Sequence, residues 1–437
     1  LTKSIIIIGG GAAGIFAAIG AKTKETEVTI LEKMPHLGTK LKICGGGRCN
    51  ITHKVDDFDE LIDYYPAGSK FLYSALSRFG PAELIDFFNS IGVETFTDRG
   101  GRIFPSFENA PRLVKALEDY LKALGVKIIC NSEVVSLSNI SETVGQAFRP
   151  AEKFTIKTKN GQTYSADKVI LTTGGLSYPK TGSTGAGFDV AKKLGHTITP
   201  VRPSLVPLEV KEPWIKDLQG LTLKNVEAKV LAEDKTFAGS RPDVLRGAET
   251  RETASKFGDM LFTHYGLSGP IILYLSRQAV NLLAENKKVK ISINLKPALS
   301  HEKLDARLKR EFNEAPRKQF KNILANLLPQ KMIPVFLSLL KIKPEAQCAQ
   351  ITAEDRKKII NLLINFEFTI TKDRGFYEAE VTQGGVSLNE VNPKTLESKI
   401  IPGLYLAGEV LDVDGYIGGF NLQAAFSTGF IAGINAV

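Results

Sequence analysis

Ser4-Ile5-Ile6-Ile7-Ile8-Gly9-Gly10-Gly11-Ala12-Ala13-Gly14 decides the fold. The isoleucine run has the unbroken apolar character of a strand buried on both faces, and the small residues from Ala12 to Ala21 read as a helix. Between them Gly9, Gly11 and Gly14 take the G-x-G-x-x-G spacing. Gly9 permits a tight turn, Gly11 lets a pyrophosphate approach the backbone beside Ala12 and Ala13, and Gly14 lets helix and strand pack closely. The phosphates would lie at the helix N-terminus, where unpaired N–H groups and the helix dipole favour negative charge. A second strand at residues 27–31 ends at Glu32, 18 residues beyond Gly14, close to the spacing of a ribose-binding acid. Strand, glycines, helix, second strand and terminal acid together imply a Rossmann-type α/β domain binding a dinucleotide. NAD and FAD share this half-site.

The 437 residues, 43% hydrophobic and 24% charged, exclude a disordered or collagen-like chain and allow two to four domains. The net charge of +9 is too modest to imply nucleic acid by itself. Apolar runs such as residues 4–8 and 403–407 fall far short of the roughly 20 that span a bilayer. The start leads directly into a strand without a secretory leader pattern, and four cysteines are too few for a disulfide framework. A cytoplasmic protein is the expectation, with no membrane partner.

Residues 403–410, Gly-Leu-Tyr-Leu-Ala-Gly-Glu-Val, read as a strand ending in small residues and an acid. Gly418-Gly419-Phe420-Asn421-Leu422 then opens an apolar helix. This second unit suits FAD: Glu409, after Gly408, would accept from a ribityl chain, and a helix N-terminus would face the flavin carbonyl. Residues 169–175, Val-Ile-Leu-Thr-Thr-Gly-Gly, bring Thr173, Gly174 and Gly175 to the end of another buried strand, either a third approach to the cofactor or a core strand with a turn.

The stretches Gly45-Gly46-Gly47-Arg48-Cys49-Asn50, Gly101-Arg102-Ile103-Phe104-Pro105, Thr181-Gly182-Ser183-Thr184-Gly185, Leu261-Phe262-Thr263-His264 and Gly266-Leu267-Ser268-Gly269-Pro270 carry a resemblance, as does residues 407–423. The chain resembles the BaiN/YhiN-like family of FAD-dependent flavoproteins over essentially its whole length. The resemblance implies FAD held by the N-terminal Rossmann half and the returning C-terminal segment, with an inserted β-barrel-like domain and a small helical domain. It implies cofactor contacts also at Lys33, Lys40, Val134 and the Gly46 to Asn50 loop. Three positions depart from the family pattern: Cys44 stands where Ser is usual, Ala186 where an acid is usual, and Phe107 where Ser is usual.

The implied domains are residues 1–195 with 382–437 (FAD-binding), 196–299 with 363–381 (β-rich), and 300–362 (helical). Alternation at residues 226–231 and 289–295 supports the β-rich insert, and residues 366–370 and 376–381 read as its closing hairpin. Residues 139–153 read as an exposed excursion. Residues 301–361 carry 13 Lys or Arg and 7 Asp or Glu, an excess of 13 − 7 = 6, which is either a solvated face or an RNA-binding surface.

For chemistry, Arg48 would stabilise an anionic reduced flavin or else be a loop cation, and His264 would be a substrate-side acid or base or else a structural residue. Cys49 is a flavin-adjacent candidate; with Cys44 it would form the dithiol of a disulfide-reducing flavoenzyme, although three glycines between them make a poor dithiol scaffold. Cys44, Cys49 and His53 lack zinc spacing, so no metal is expected. The expectation is an FAD-dependent oxidoreductase passing hydride through flavin N5, with NADH or NADPH as a transient donor and a small-molecule substrate between flavin and β domain. The alternatives are a flavin-dependent RNA-modifying enzyme, a dithiol/disulfide enzyme and a non-catalytic FAD-binding redox sensor.

Overall fold

Ile5, Ile6, Ile7 and Ile8 are at most 5% exposed, so the strand they form is covered on both faces. In the computed structural model, which describes residues 2–98, 100–140, 153–233 and 250–437, strand Lys3–Ile8 is central in a five-stranded parallel sheet. The order is Leu404–Leu406, Lys168–Leu171, Lys3–Ile8, Thr26–Leu31 and Lys127–Ile129. Ile5 pairs in register with Lys168 on one side and Val28 on the other. Parallel neighbours need crossover connections, and helix Ala12–Ala21 supplies the first of them.

That helix packs on Phe420–Ala436, the last helix, through small residues. A Cβ on Gly20 would stand 2.5 Å from Phe430 O, and Cβ atoms on Gly429 and Gly433 would strike the Ala13 and Ala17 carbonyls. The absence of side chains brings the two backbones close enough to hold the chain's two ends together. Phe16 fills the layer beside them, its ring 4.5 Å from Phe426 and 5.0 Å from Phe87. Burying such a ring contributes on the order of 2–3 kcal/mol.

The chain divides into two compact units, residues 1–204 with 376–437 and residues 205–375. The second unit holds a closed six-stranded antiparallel barrel, Leu208–Val210, Gly266–Ser268, Thr250–Phe262, Thr222–Glu233, Lys288–Asn294 and Phe366–Asp373, in that order. Leu208–Val210 closes it by pairing with both Gly266–Ser268 and Phe366–Asp373. Helix His301–Glu314, capped by Ser300 Oγ accepting from the Lys303 N–H, turns Leu304, Leu308 and Phe312 inward at helical spacing. Those residues share one apolar core with barrel residues such as Phe366 and Phe368, so barrel and helical segment form a single unit. Within the helical segment Arg307 pairs with Glu311, and Arg356 and Lys309 both pair with Asp305.

The structure corrects two readings of this region. Phe366–Asp373 is a barrel strand as expected, but residues 376–381 are not its hairpin partner: Val381–Gln383 pairs with Arg202–Ser204 inside the Rossmann-containing unit. The strand's actual partners, Lys288–Asn294 and Leu208–Val210, are far away in sequence, and alternation alone does not name a partner. The boundaries accordingly fall at residues 204/205 and 375/376 rather than at 195 and 381. Of the expected excursion at 139–153, residues 141–152 lie outside the described residues. No helix among the described residues is long and apolar enough to cross a membrane.

Candidate functional site

The turn after the first strand is built from glycines with different tasks. Gly9 has φ +106°, and a Cβ there would lie 2.6 Å from Thr172 O; a Cβ on Gly14 would strike the Gly9 carbonyl. Gly11, the N-cap of helix Ala12–Ala21, has no atom within 4 Å of its ideal Cβ position. The helix N-terminus, with Ala12 and Ala13, therefore faces open space where its free N–H groups can meet an anion.

Glu32 follows the second strand and bends back to this turn. Gly10 N donates to its Oε2 at 2.6 Å and Met34 N to its Oε1 at 2.7 Å. Burial pushes its carboxyl up, against these hydrogen bonds and the Lys33 charge. Each oxygen keeps a second lone pair for a ribose hydroxyl. Beside it, Lys33 Nζ donates to Thr184 Oγ1 at 2.7 Å, and Ser132 N donates to Glu32 O at 2.8 Å just before strand Val134–Ile140.

The third strand delivers Thr172 to Gly175. Thr172 Oγ1 donates to Gly9 O at 2.8 Å, fixing the glycine turn. Thr173 Oγ1 is buried with no hydrogen-bond partner. The fourth visit is the segment after Leu404–Leu406: Gly408 adopts φ +77° and its N–H donates to Thr428 Oγ1 at 3.0 Å. Glu409 accepts from Lys40 Nζ at 2.8 Å, Ser177 Oγ at 2.6 Å and Thr382 N at 2.8 Å. Burial alone would raise this carboxyl; Lys40, Ser177 and Thr382 together hold it below its ordinary value.

Between Cys44 and Asn50 the chain folds into a run of left-handed residues, Gly45, Gly46, Gly47 and Cys49, with φ of +58°, +67°, +85° and +61°. Cβ atoms on Gly46 and Gly47 would meet nothing within 4 Å, and Asn50 Oδ1 is buried without a partner. Across from the loop's end, Gly418 and Gly419 (φ +132° and +101°) open helix Phe420–Ala436, and a Cβ on Gly419 would lie 2.7 Å from Thr52 O. Asn421 clamps the preceding turn, accepting from Gly415 N at 2.8 Å and donating to Gly415 O at 2.7 Å. Phe420 is buried under Tyr64, its ring 4.1 Å away and nearly parallel, and Leu422 is half-buried.

The residues singled out in the sequence thus separate by place. Gly9, Gly14 and Glu32 adjoin one another at the glycine turn, Thr173 to Gly175 and Gly408 to Glu409 follow the neighbouring strands, Lys40 is tied to Glu409, and Gly46 to Asn50 belong to the same unit. Open space before Gly11, Gly46 and Gly47 and orphaned oxygens on Thr173 and Asn50 fit an extended dinucleotide with polar edges. Arg48 is half-exposed, 3.0 Å from Glu108 and 4.5 Å over the Phe104 ring. Cys49 is fully buried and its thiol is pushed well up by burial. His264 stands in the barrel unit, exposed, against the edge of Tyr265. Sequence reasoning missed Ser177, whose hydroxyl donates to Glu409, and Thr382, whose backbone N–H does so while its hydroxyl holds the Leu176 and Ser177 N–H groups; Ser177 lies two residues past Gly175, which was the available signal.

Among known proteins, the model of the HI0933-like protein Rossmann domain matches residues 3–435. A 3-dehydro-bile acid delta(4,6)-reductase of Clostridium scindens is 34% identical over 98% of this chain and 97% of its own length. A ribosomal RNA dihydrouridine synthase of Escherichia coli is 32% identical over 97% of this chain and 95% of its own. Among solved structures, the 3-ketosteroid delta1-dehydrogenase of Sterolibacterium denitrificans superposes with a TM-score of 0.51 at 13% identity, covering 99% of both chains, a likeness of fold alone.

Proposed function

Because the chain belongs to the HI0933-like family of FAD-dependent Rossmann flavoproteins, we propose that it reduces a carbon–carbon double bond conjugated to a carbonyl, with NADH or NADPH as donor. The observation that carries this reading is the open space at Gly11, Gly46 and Gly47, the Glu32 carboxylate folded back onto the glycine turn, and the unpartnered oxygens on Thr173 and Asn50. The activities of the two relatives share one chemistry. A delta(4,6)-reductase of a 3-dehydro steroid and a synthase of dihydrouridine each add two hydrogens across an alkene in conjugation with a carbonyl.

Bound FAD would supply a two-electron carrier able to pass hydride between a nicotinamide and the alkene. The Gly11 to Ala13 amides would hold the pyrophosphate, Glu32 the adenosine ribose, and Glu409 the ribityl hydroxyls. The N-terminus of Phe420–Ala436 favours negative charge, which accumulates on a reduced flavin. Arg48, tied to Glu108, would add a cation at the end of the Gly45 to Gly47 loop. The test is anaerobic: bleach the flavin with NADH or NADPH, then add a steroid 4,6-dien-3-one, a simple cyclic enone or uridine-containing RNA. Return of the oxidised spectrum with a saturated product supports the reading; a reduced protein that none of these acceptors reoxidises removes it.

A further inference from the structure

His53 ends the short strand Thr52–His53, which pairs with Arg102–Pro105, Thr52 opposite Ile103 and His53 opposite Arg102. Its half-buried ring is gripped by glycines from two separate stretches. On one side Nδ1 lies 3.0 Å from Gly418 O, and on the other a Cβ on Gly101 would stand 2.7 Å from Nε2. The ring also stacks on Phe420, with centroids 4.9 Å apart and planes 24° from parallel. Thr52 braces the same helix start: its Oγ1 donates to Gln423 Oε1 at 2.6 Å, and its carbonyl leaves no room for a Cβ on Gly419. Thr52 stands two residues past Asn50, so the start of helix Phe420–Ala436 adjoins the end of the glycine loop, where the Asn50 Oδ1 is orphaned.

These contacts settle the direction of the bond and of the peptide behind it. A carbonyl oxygen only accepts, so Nδ1 carries a proton toward Gly418 O. The Gly418–Gly419 peptide is trans, so its C=O and N–H point opposite ways, and holding the carbonyl at His53 turns the Gly419 N–H to the far side. The bond also draws Gly418 O away from the Leu422 N–H, four residues on, to which a helical carbonyl would be committed. Among the described residues no acceptor takes the N–H groups of Gly419, Phe420, Asn421 or Leu422. Two adjacent glycines, at φ +132° and +101°, leave their shared peptide unusually free to turn over. Among the described residues His53 is the one side chain that bonds it.

We propose that His53 is a positioning residue for the flavin: by holding the Gly418 carbonyl it keeps the free N–H groups from Gly419 to Leu422 turned to the cofactor. This rests on the reading above that the start of Phe420–Ala436 meets the flavin. Fixed N–H groups favour the reduced form over the oxidised one, because the reduced form carries the added negative charge. Without the bond the Gly418–Gly419 peptide is free to turn, and the Gly419 N–H goes with it. Phe at this position keeps a ring on Phe420 and has no donor. Asn keeps an amide donor in the place of Nδ1 and has no charge, so it separates the hydrogen bond from any charge on the imidazole.

The experiment reads the full chain first without cofactor and then loaded with FAD. In alkaline buffer the nitrogen-15 spectrum of the five labelled histidines should show His53, assigned by its loss in His53→Asn, with the proton on Nδ1; a proton on Nε2 overturns the proposal. In the holoprotein the two-electron midpoint potential, measured against redox dyes with no nicotinamide or alkene present, should fall about 30 mV or more in His53→Phe, a tenfold loss of preference for reduced flavin. His53→Asn should recover most of that fall. Flavin absorbance and thermal melts check that cofactor and fold are intact, and His53→Leu replaces the Phe variant if the larger ring does not fit beside Gly101. A wild-type potential without the donor, or a fall that Asn does not recover, overturns the proposal. Leu422→Glu tests the placement separately, because a carboxylate in the first turn lowers the potential of a flavin that meets this helix end. If Leu422→Glu shifts the potential and His53→Phe does not, His53 is structural only. If neither shifts it, the placement of the flavin fails and the proposal with it, while the reaction above is judged by its own alkene test.

Discussion

Lys40 Nζ lies 2.8 Å from Glu409 Oε2, joining the segment after the second strand to the segment after the last one, with only 22% and 19% of the two side chains exposed. Removing one partner leaves the other charge poorly solvated. Lys40→Met is expected to cost about 2–4 kcal/mol in urea unfolding, and the double change Lys40→Met with Glu409→Gln less than the sum. Because the folded Glu409 carboxyl is held below its ordinary value, its contribution is complete above the unfolded value of about 4.3 and is lost as pH falls through the folded one. Glu409→Gln should therefore flatten the acid limb of the stability curve.

Gly11 and Gly14 belong to one motif but answer to different physics. Gly11 has φ −79° and open space at its Cβ, so Gly11→Ala should leave FAD-free stability within about 0.5 kcal/mol while weakening FAD binding about tenfold or more. Gly14→Ala drives a methyl into the Gly9 carbonyl and should destabilise the fold itself by roughly 2 kcal/mol or more. Thermal melts with and without FAD separate the two. Equal losses of apo stability would show that Gly11 does not face the cofactor.

The Rossmann half was legible because its signals are local: four isoleucines, three spaced glycines and an acid at the next strand's end all lie within residues 4–32. The barrel was legible as a class but not in its pairing, since Leu208–Val210 finds Phe366–Asp373 across more than 150 residues, beyond the range of any periodicity. The same limit hid Ser177 and Thr382. Each is an unremarkable residue in its own stretch, and their shared place beside Lys40 and Glu409 exists only once residues 376–383 return to the Rossmann unit.

Cys44 and Cys49 do not have the environment of an attacking dithiol. Burial lifts the Cys44 thiol to about 11, with Lys40 opposing and Glu380 and Glu409 adding, and lifts Cys49 well above its ordinary value. A redox dithiol needs the opposite shift, toward thiolate at neutral pH. Maleimide labelling of the native holoprotein, done before and after dithionite reduction, should return the same number of thiols. A reversible gain of two on reduction would restore the disulfide mechanism.

His196 is buried between Glu390 and Ser398, with Nδ1 3.2 Å from Glu390 Oε2 and Nε2 3.0 Å from Ser398 Oγ. Ser398 Oγ already accepts from the Ile400 and Ile401 N–H groups at 3.0 and 2.9 Å, so its own proton points to Nε2. Nδ1 then carries the ring's single proton toward Glu390, and the neutral ring satisfies every partner. A second proton on Nε2 would face the Ser398 hydroxyl donor. Burial accordingly lowers the folded His196 below its ordinary value, with Glu390 pulling the other way. A histidine lowered in the fold gives stability that is complete above the unfolded value of about 6.5 and is lost as pH falls below it toward the folded value. The midpoint of thermal unfolding should drop between about pH 7.5 and pH 5.5, and His196→Leu should remove that slope while costing about 1–3 kcal/mol at neutral pH for the partners left unsatisfied. An unchanged slope in the variant would assign the pH dependence to another group.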